Sequence, residues 1–351
     1  MQLTFDADVE AFRAEFVAFL DEHLPDEAWA GERPRSCSHI PEWAPRWQRL
    51  LFDHGRRVPG NAPEFGGRNA TVLQQYVHAE ELSRRSVRHS FNPQGVGIIA
   101  ASVLSFGTAE QKQRWAVPIL RAEMTASLGM SEAGAGSDLA SLRPQAALDD
   151  GHFVVNGQKV WTSGAHDADV LLTFVRTDMK GPKHTGISVL LIPTDTPEVT
   201  RRPFASASDR DDLDFNEVFF ADARVPPENL VGPLNQGWRV ATGSLGHERT
   251  MLWLGYADRL RKLPADFRPS GVLEQDQYAT LATDFEALRV ARLRGAGARR
   301  ARRGGCAGPV SAEAAGLRGS PDGIRARVQR CGRRRARPPR LHRPVRTAEL
   351  G

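Results

Sequence analysis

The spacing of apolar residues changes twice along this chain and then disappears, and that succession limits the folds open to it. Up to about residue 124 the rhythm is helical. Residues 6–24 place Val9, Phe12, Phe16, Phe19 and Leu20 on one helical face, with Asp6 in position to cap the start and Pro25 to end the run. Further helices are expected at about 71–88, 94–106 and 109–121. The second of these is apolar nearly all round and is expected to be buried. A Gly/Pro loop runs from Pro59 to Gly67. After Met124 the rhythm becomes that of strands. Phe153-Val154-Val155 and Lys159-Val160-Trp161 flank Asn156-Gly157, which predicts a tight type I′ hairpin. Val170 to Val175, Ile187 to Ile192 and Leu213 to Phe220 read as further strands. Helical character returns at Gln236 and runs to Leu288, where Tyr278, Leu281, Phe285 and Leu288 mark one face. Helical block, sheet block, helical block predicts an α+β chain with separate α and β domains, not alternating βαβ units.

After about residue 290 no period survives. Residues 290–351 contain no Phe, Tyr or Trp and are built from Arg, Ala, Gly and Pro. Such a segment is expected to be disordered, because it cannot bury enough apolar area to offset its chain entropy. Its 17 Arg and three acids give it +14, and the 30 basic and 39 acidic residues before it give −9, which together make the +5 of the whole chain. The body is therefore acidic. Two readings of the basic segment stand. One is out-of-frame translation of a G+C-rich gene, which yields this composition and is favoured. The other is a nucleic-acid-binding tail, although such tails usually mix Lys with Arg.

The expected divisions are residues 1–124 for an N-terminal helical domain and 125–232 for a middle β domain. Residues 233–289 would begin a C-terminal helical domain, and 290–351 would be the aberrant tail. No stretch approaches the roughly 20 apolar residues of a membrane span. The acidic start, with Asp6, Asp8, Glu10, Glu15, Asp21 and Glu22, suits neither a secretory signal nor a transit peptide, so the cytoplasm is expected. Three scattered cysteines, Cys37, Cys306 and Cys331, make neither a disulfide framework nor a zinc site.

The richest motif is Gly129-Met130-Ser131-Glu132-Ala133-Gly134-Ala135-Gly136-Ser137-Asp138-Leu139-Ala140-Ser141. A loop of small residues with exposed N–H groups and two hydroxyls can lie close against a planar or phosphorylated ligand. On composition alone a plain surface turn is the commoner outcome. The whole pattern, however, resembles the first signature of the acyl-CoA dehydrogenases. Pro63-Glu64-Phe65-Gly66-Gly67, Ala79-Glu80-Glu81-Leu82 and Phe106-Gly107-Thr108-Ala109-Glu110-Gln111-Lys112 resemble further family motifs in order. So do Asn156-Gly157-Gln158-Lys159-Val160-Trp161-Thr162-Ser163 and the stretch from Val225 to Gly232, followed by Gly237-Trp238. The likeness covers about residues 5–289. Leu128 stands where the family usually has an aromatic residue, and Ala133 where it usually has proline.

That resemblance implies an N-terminal helical domain, a middle β-barrel-like domain and a C-terminal four-helix bundle, here incomplete. It implies FAD as cofactor, an acyl-CoA thioester as substrate, an electron-transfer flavoprotein as acceptor, and homo- or hetero-oligomers with related subunits. By motif, Met130 and Ser131 would contact the flavin pyrimidine, and Gly136 and Ser137 would lie where flavin and CoA meet. Trp161, Thr162 and Ser163 would cover the ring and reach towards its N5. A lone tryptophan is more often a core residue; within the matched motif the covering role is expected.

Removing the α-proton of a thioester requires a carboxylate poised by partial desolvation. Glu248 is the candidate, because Trp238, Ala241, Leu245, Glu248, Leu252 and Tyr256 share a helical face. On spacing alone, a buried ion pair with Arg249 or Arg239 is the competing reading. His247-Glu248-Arg249 resembles the place where one subset of the family keeps its base, with Arg249 beside the substrate. The Tyr-Glu-Gly-Thr-like motif that most members use is absent.

Overall fold

The computed structural model describes residues 5–26, 42–85, 87, 91–207, 210, 213–247 and, further on, 271, 272, 274–276, 278–280, 282–284 and 287. Glu248, Arg249, Leu281, Phe285, Leu288 and the whole of 290–351 lie outside the described residues.

Helix α1, Ala7–His23, buries the five residues its period picked out, and Leu24 closes it ahead of Pro25. Asp6 sits at its N-cap in extended conformation but makes no side-chain capping bond. Helix α2, Trp43–Asp53, was not anticipated. Pro45 in its first turn reads as a breaker, yet a first-turn N–H has no helical partner to lose. Trp47 and Leu51 of α2 meet Phe16, Phe19 and Leu20 of α1 and Leu82 of α3, Val72–Arg84, in one small core. Burying each such side chain contributes about 1.5–3 kcal/mol. Thr71 and Gln74 close a reciprocal capping box at the start of α3.

The expected buried helix is a π turn, Gly95–Ala100, continuing into α4, Ala101–Phe106. A second π turn, Lys112–Ala116, links α5, Ala109–Gln111, to α6, Val117–Leu120. These helices form the floor on which the sheet rests.

The sheet begins at β1, Ala126–Gly129, followed by β2, Gln145–Asp149, and β3, His152–Lys159. Then come β4, Val170–Arg176, β5, Ile187–Pro193, β6, Val199–Phe204, and β7, Phe215–Val225. The strand order is β1-β4-β2-β3-β7-β6, with β5 on β4. The result is a curled, half-barrel sheet. β4 runs parallel to β1 and antiparallel to β5, and nearly every residue of β4 and β5 is buried. Their alternation explains why. Val170, Leu172, Phe174, Val189 and Leu191 join the helical floor, whereas Leu171, Val175, Leu190 and Ile192 join the core enclosed by the sheet. A strand between two cores reads as a continuous apolar run.

The hairpin expected at Asn156-Gly157 is corrected. Both residues lie within β3, at a bulge against β7, and Gly157 at φ +137° lets Pro144 approach where a Cβ would collide. The real turn is Asp150-Gly151, between β2 and β3, with φ of +43° and +72° as a type I′ turn requires.

Helical structure resumes at residues 237–247, and the described residues from 272 to 287 are helical. Among the described residues no helix is long and apolar enough to cross a membrane.

Candidate functional site

The signature loop leaves β1 at Gly129 and is pegged into the floor at three points, Ala135, Leu139 and Leu142, all buried. On either side of the Ala135 peg, Ala133, Gly134, Gly136 and Ser137 stand exposed. A Cβ added at Gly134 or Gly136 would meet nothing within 4 Å, so the space above the loop is open. Glu132 and Ala135 close the turn through Glu132 N–H to Ala135 O at 2.9 Å and Ala135 N–H to Glu132 O at 3.3 Å. Met130 packs on the floor at its partly buried edge. The Ser131 and Ser137 hydroxyls have no hydrogen-bond partner among the described residues.

The second wall is the turn after β3. Trp161, at φ +61°, is 58% exposed, so the core reading of this tryptophan does not hold. Its ring stands edge-on to Phe204 and Phe215, at 5.2 and 5.5 Å between centroids. Thr162 faces the other way. Its side chain is buried, its N–H donates to Asn216 O at 3.2 Å, and its carbonyl accepts from Asn216 Nδ2 at 3.1 Å. Thr162 therefore holds the turn through its backbone, while its Oγ1 is buried without a hydrogen-bond partner among the described residues. The Ser163 carbonyl accepts from Ser127 Oγ of β1 at 2.7 Å, and Gly164 N–H donates to Asp214 O at 2.7 Å.

The walls adjoin. Val160 N–H donates to Ser131 O at 3.0 Å, which sets Ser131 beside the residue preceding Trp161. Lys159 reaches the same loop from below. Its Nζ lies 3.1 Å from Met130 O and 2.7 Å from Glu132 Oε1, and its side chain is fully buried. Burial pushes this ammonium down to about 8, with Glu132 opposing the shift. At the far end of the loop Asp138 is held below the usual carboxylate range by Ser141 Oγ, then by Lys183 Nζ at 3.0 Å.

This arrangement fits a flat ring edged with hydrogen-bonding groups, the shape of a flavin. It offers an open strip of glycines, two unengaged hydroxyls and an exposed indole on a braced turn. Met130, Ser131, Gly136 and Ser137 share the loop, and the Val160 N–H to Ser131 O bond joins it to the turn of Trp161 and Ser163, whereas Glu248 and Arg249 lie outside the described residues. The helical stretch before them is docked on α4 by Ser244 Oγ to Ser102 Oγ at 2.7 Å and His247 Nε2 to Ser105 Oγ at 3.1 Å. Burial lowers the His247 pKa. Ser105 already donates to Ala101 O at 2.8 Å, so neutral His247 donates through Nε2.

Sequence reasoning missed Lys159, Glu132, Asn216 and Ser127 as builders of the site. A usable signal existed for Lys159, which follows Phe153 and Val155 at the inward-facing positions of β3.

Comparison with known proteins places these features in context. A family model described as acyl-CoA dehydrogenase, N-terminal domain, matches residues 6–123, and the corresponding middle-domain model matches residues 127–223. Acyl-CoA dehydrogenase IpdE1 of Mycobacterium tuberculosis is 36% identical over 264 residues, spanning 73% of this chain and 68% of that protein. Acyl-CoA dehydrogenase FadE29 of the same organism is 38% identical over 229 residues, spanning 65% of this chain and 57% of that protein. The solved Tcur3481-Tcur3483 steroid ACAD superposes with a TM-score of 0.72 at 30% identity, over 86% of this chain and 79% of that one.

Proposed function

The chain belongs to the acyl-CoA dehydrogenase family, and from that premise we propose that it oxidises an acyl-CoA thioester to the trans-2-enoyl-CoA with FAD as cofactor. The observation that carries this reading is the pairing of the two walls, an open small-residue loop against an exposed, braced tryptophan. Met130 and Ser131 would hold the pyrimidine edge of the flavin, Trp161 would cover the ring and Ser163 would reach towards its N5, with Gly136 and Ser137 at the junction with the thioester. Bound there, FAD would supply the acceptor for the hydride from the β-carbon, and an electron-transfer flavoprotein would take up the electrons. Glu248 takes the α-proton, and Arg249 lies beside the substrate. Desolvation on an apolar helix face would raise the Glu248 pKa towards the working range.

An acyl group on a steroid skeleton is the favoured substrate class, supported by the steroid ACAD among the similar structures. A straight fatty acyl chain is the alternative, and either reaction belongs to the β-oxidation of lipids. The enzyme works in the cytoplasm as a homo- or hetero-oligomer with related subunits. The divisions at 1–124, 125–232 and 233–289 stand as proposed domains, followed by the aberrant segment 290–351. An inactive relic is a second reading, supported by the absence of the Tyr-Glu-Gly-Thr-like motif. Binding of nucleic acid by the basic tail is a third, and is disfavoured.

Purified chain should be yellow, and anaerobic addition of a steroid or fatty acyl-CoA should bleach its visible band. A yellow protein that no acyl-CoA bleaches would establish the relic. A colourless protein that takes up no added FAD would end the flavin reading. Salt-dependent nucleic-acid binding that vanishes on deleting residues 290–351 would establish the third reading.

A further inference from the structure

Among the described residues Lys159 is one of the largest side chains with no exposure, and it carries a charge. Burial of an ammonium is expensive, and a buried ion pair is often no more stabilising than an apolar pair of the same volume. Its placement in the core therefore calls for another account. Both partners of its Nζ, the Met130 carbonyl and the Glu132 carboxylate, lie in the signature loop. The other Glu132 oxygen accepts from Arg143 N–H at 2.9 Å, where the chain leaves that loop. Two residues beyond Lys159 is Trp161, the opposite wall. One side chain thus ties the entry, the turn and, through Glu132, the exit of the loop to the strand that leads into Trp161.

We propose that Lys159 is a positioning residue that fixes the width of the flavin slot by fastening the 130–132 loop to β3. The proposal rests on the flavin reading above for what occupies the slot, and on the contacts alone for the fastening. The strut works in two ways. It occupies the Met130 carbonyl and Glu132 Oε1, while Arg143 N–H takes Glu132 Oε2, so that these acceptors are engaged within the protein and do not oppose the carbonyl oxygens at the edge of the ring. It also makes Ser131 and Trp161 move together, since Ser131 O is held by Val160 N–H between Lys159 and Trp161.

The test separates a strut from a mere core pair. Lys159→Met alone leaves Glu132 buried without its cation and could unfold the region. The paired variant Lys159→Met/Glu132→Leu replaces the ion pair by apolar volume and should restore folding. Amide exchange is followed on the full-length, flavin-free chain at position 132, Ala135 and Val160, with Leu171 and Leu172 as internal reference. The paired variant should melt close to the parent and keep the reference amides protected. Its loop amides should exchange about tenfold faster or more. Its FAD dissociation constant should rise by about tenfold or more, with a shifted visible band of the bound flavin. Loop protection equal to that of the parent would overturn the strut. Loosened loop amides with unchanged FAD affinity and spectrum would overturn its role in the slot. If the parent itself takes up no FAD, the flavin reading fails, and the exchange data still decide whether Lys159 fastens the loop.

Discussion

The loop after β1 is fastened to β3 by a charge, whereas the turn after β3 is fastened to β7 and β1 by neutral amide and hydroxyl groups. Glu132 and Lys159 carry the first attachment, with Nζ and carboxylate 2.7 Å apart in the protein interior. Asn216 and Ser127 carry the second, through the carbonyls of Thr162 and Ser163. The loop needs to present small residues with nothing behind them, so it is held not by those residues but by the buried Ala135, Leu139 and Leu142 and by Glu132. The turn carries a bulky indole at positive φ, and several weak bonds spread that strain. The chain thus holds one wall by apolar pegs and a charged tie, and the other by neutral hydrogen bonds. The two should fail differently.

The largest effect is expected outside both walls. If the walls only hold and orient the ring, proton removal belongs to neither, and Glu248→Gln should lower kcat by roughly 10²–10⁴, the usual scale for losing a general base. Substrate binding should change far less. Single-turnover flavin reduction measures it. An unchanged rate would assign the base to a partner subunit, or make Glu248 half of a buried ion pair.

Next in size is the charged tie. Glu132→Ala strands the buried Lys159 ammonium and should destabilise the protein by about 3–5 kcal/mol. Asn216→Ala strands mainly the Thr162 carbonyl, because Asp214 O keeps its bond from Gly164 N–H, and should destabilise by about 1–3 kcal/mol. Denaturant melts of the two variants side by side measure the contrast. Equal losses would mean that the two walls are held alike. In Asn216→Ala, amide exchange should also rise at Gly164 while Glu132 and Ala135 stay protected, since the damage should remain on its own wall.

The two walls also differ in how far the sequence discloses them. The strands beneath were readable, because Val170 to Val175 and Ile187 to Ile192 are runs that only a doubly buried strand accommodates. Helix α1 was readable from one clean stripe. The signature loop was readable as a motif but not as a shape: its exposed strip exists only because Ala135, Leu139 and Leu142 reach the helical floor, which is a long-range fact. Asn156-Gly157 misled, because local turn propensity gave way to the register between β3 and β7, while Asp150-Gly151 made the turn. Asn216 was invisible. A lone asparagine in a strand carries no sign that its side chain will bond to the carbonyl of residue 162. Lys159 was half visible, a cation at an inward-facing strand position whose partner sits in a loop 27 residues earlier.

The smallest effect concerns pH, and it bears on the charged wall alone. Lys159 titrates at about 8 in the folded chain, against an ordinary value of 10.5 that applies once it is unfolded. Between these values the unfolded state holds more protons than the folded one, so stability rises with pH wherever Lys159 is the group responsible. The contribution is absent below about pH 8, where both states are protonated, and it stops growing above about 10.5. Within the window its slope approaches 1.4 kcal/mol per pH unit at most, the value for one full proton. Other groups titrate there too, and Arg57, buried and lowered to about 10, is one of them. The difference between the parent chain and Lys159→Met/Glu132→Leu cancels them. Denaturant melts at pH 7.5, 8.5 and 9.5 should therefore show the parent gaining stability relative to the paired variant as pH rises. Asn216→Ala should track the parent throughout, since neutral ties carry no proton. A flat difference between parent and paired variant would mean that Lys159 keeps its proton through this range, and that the ion pair with Glu132 outweighs the desolvation of the ammonium.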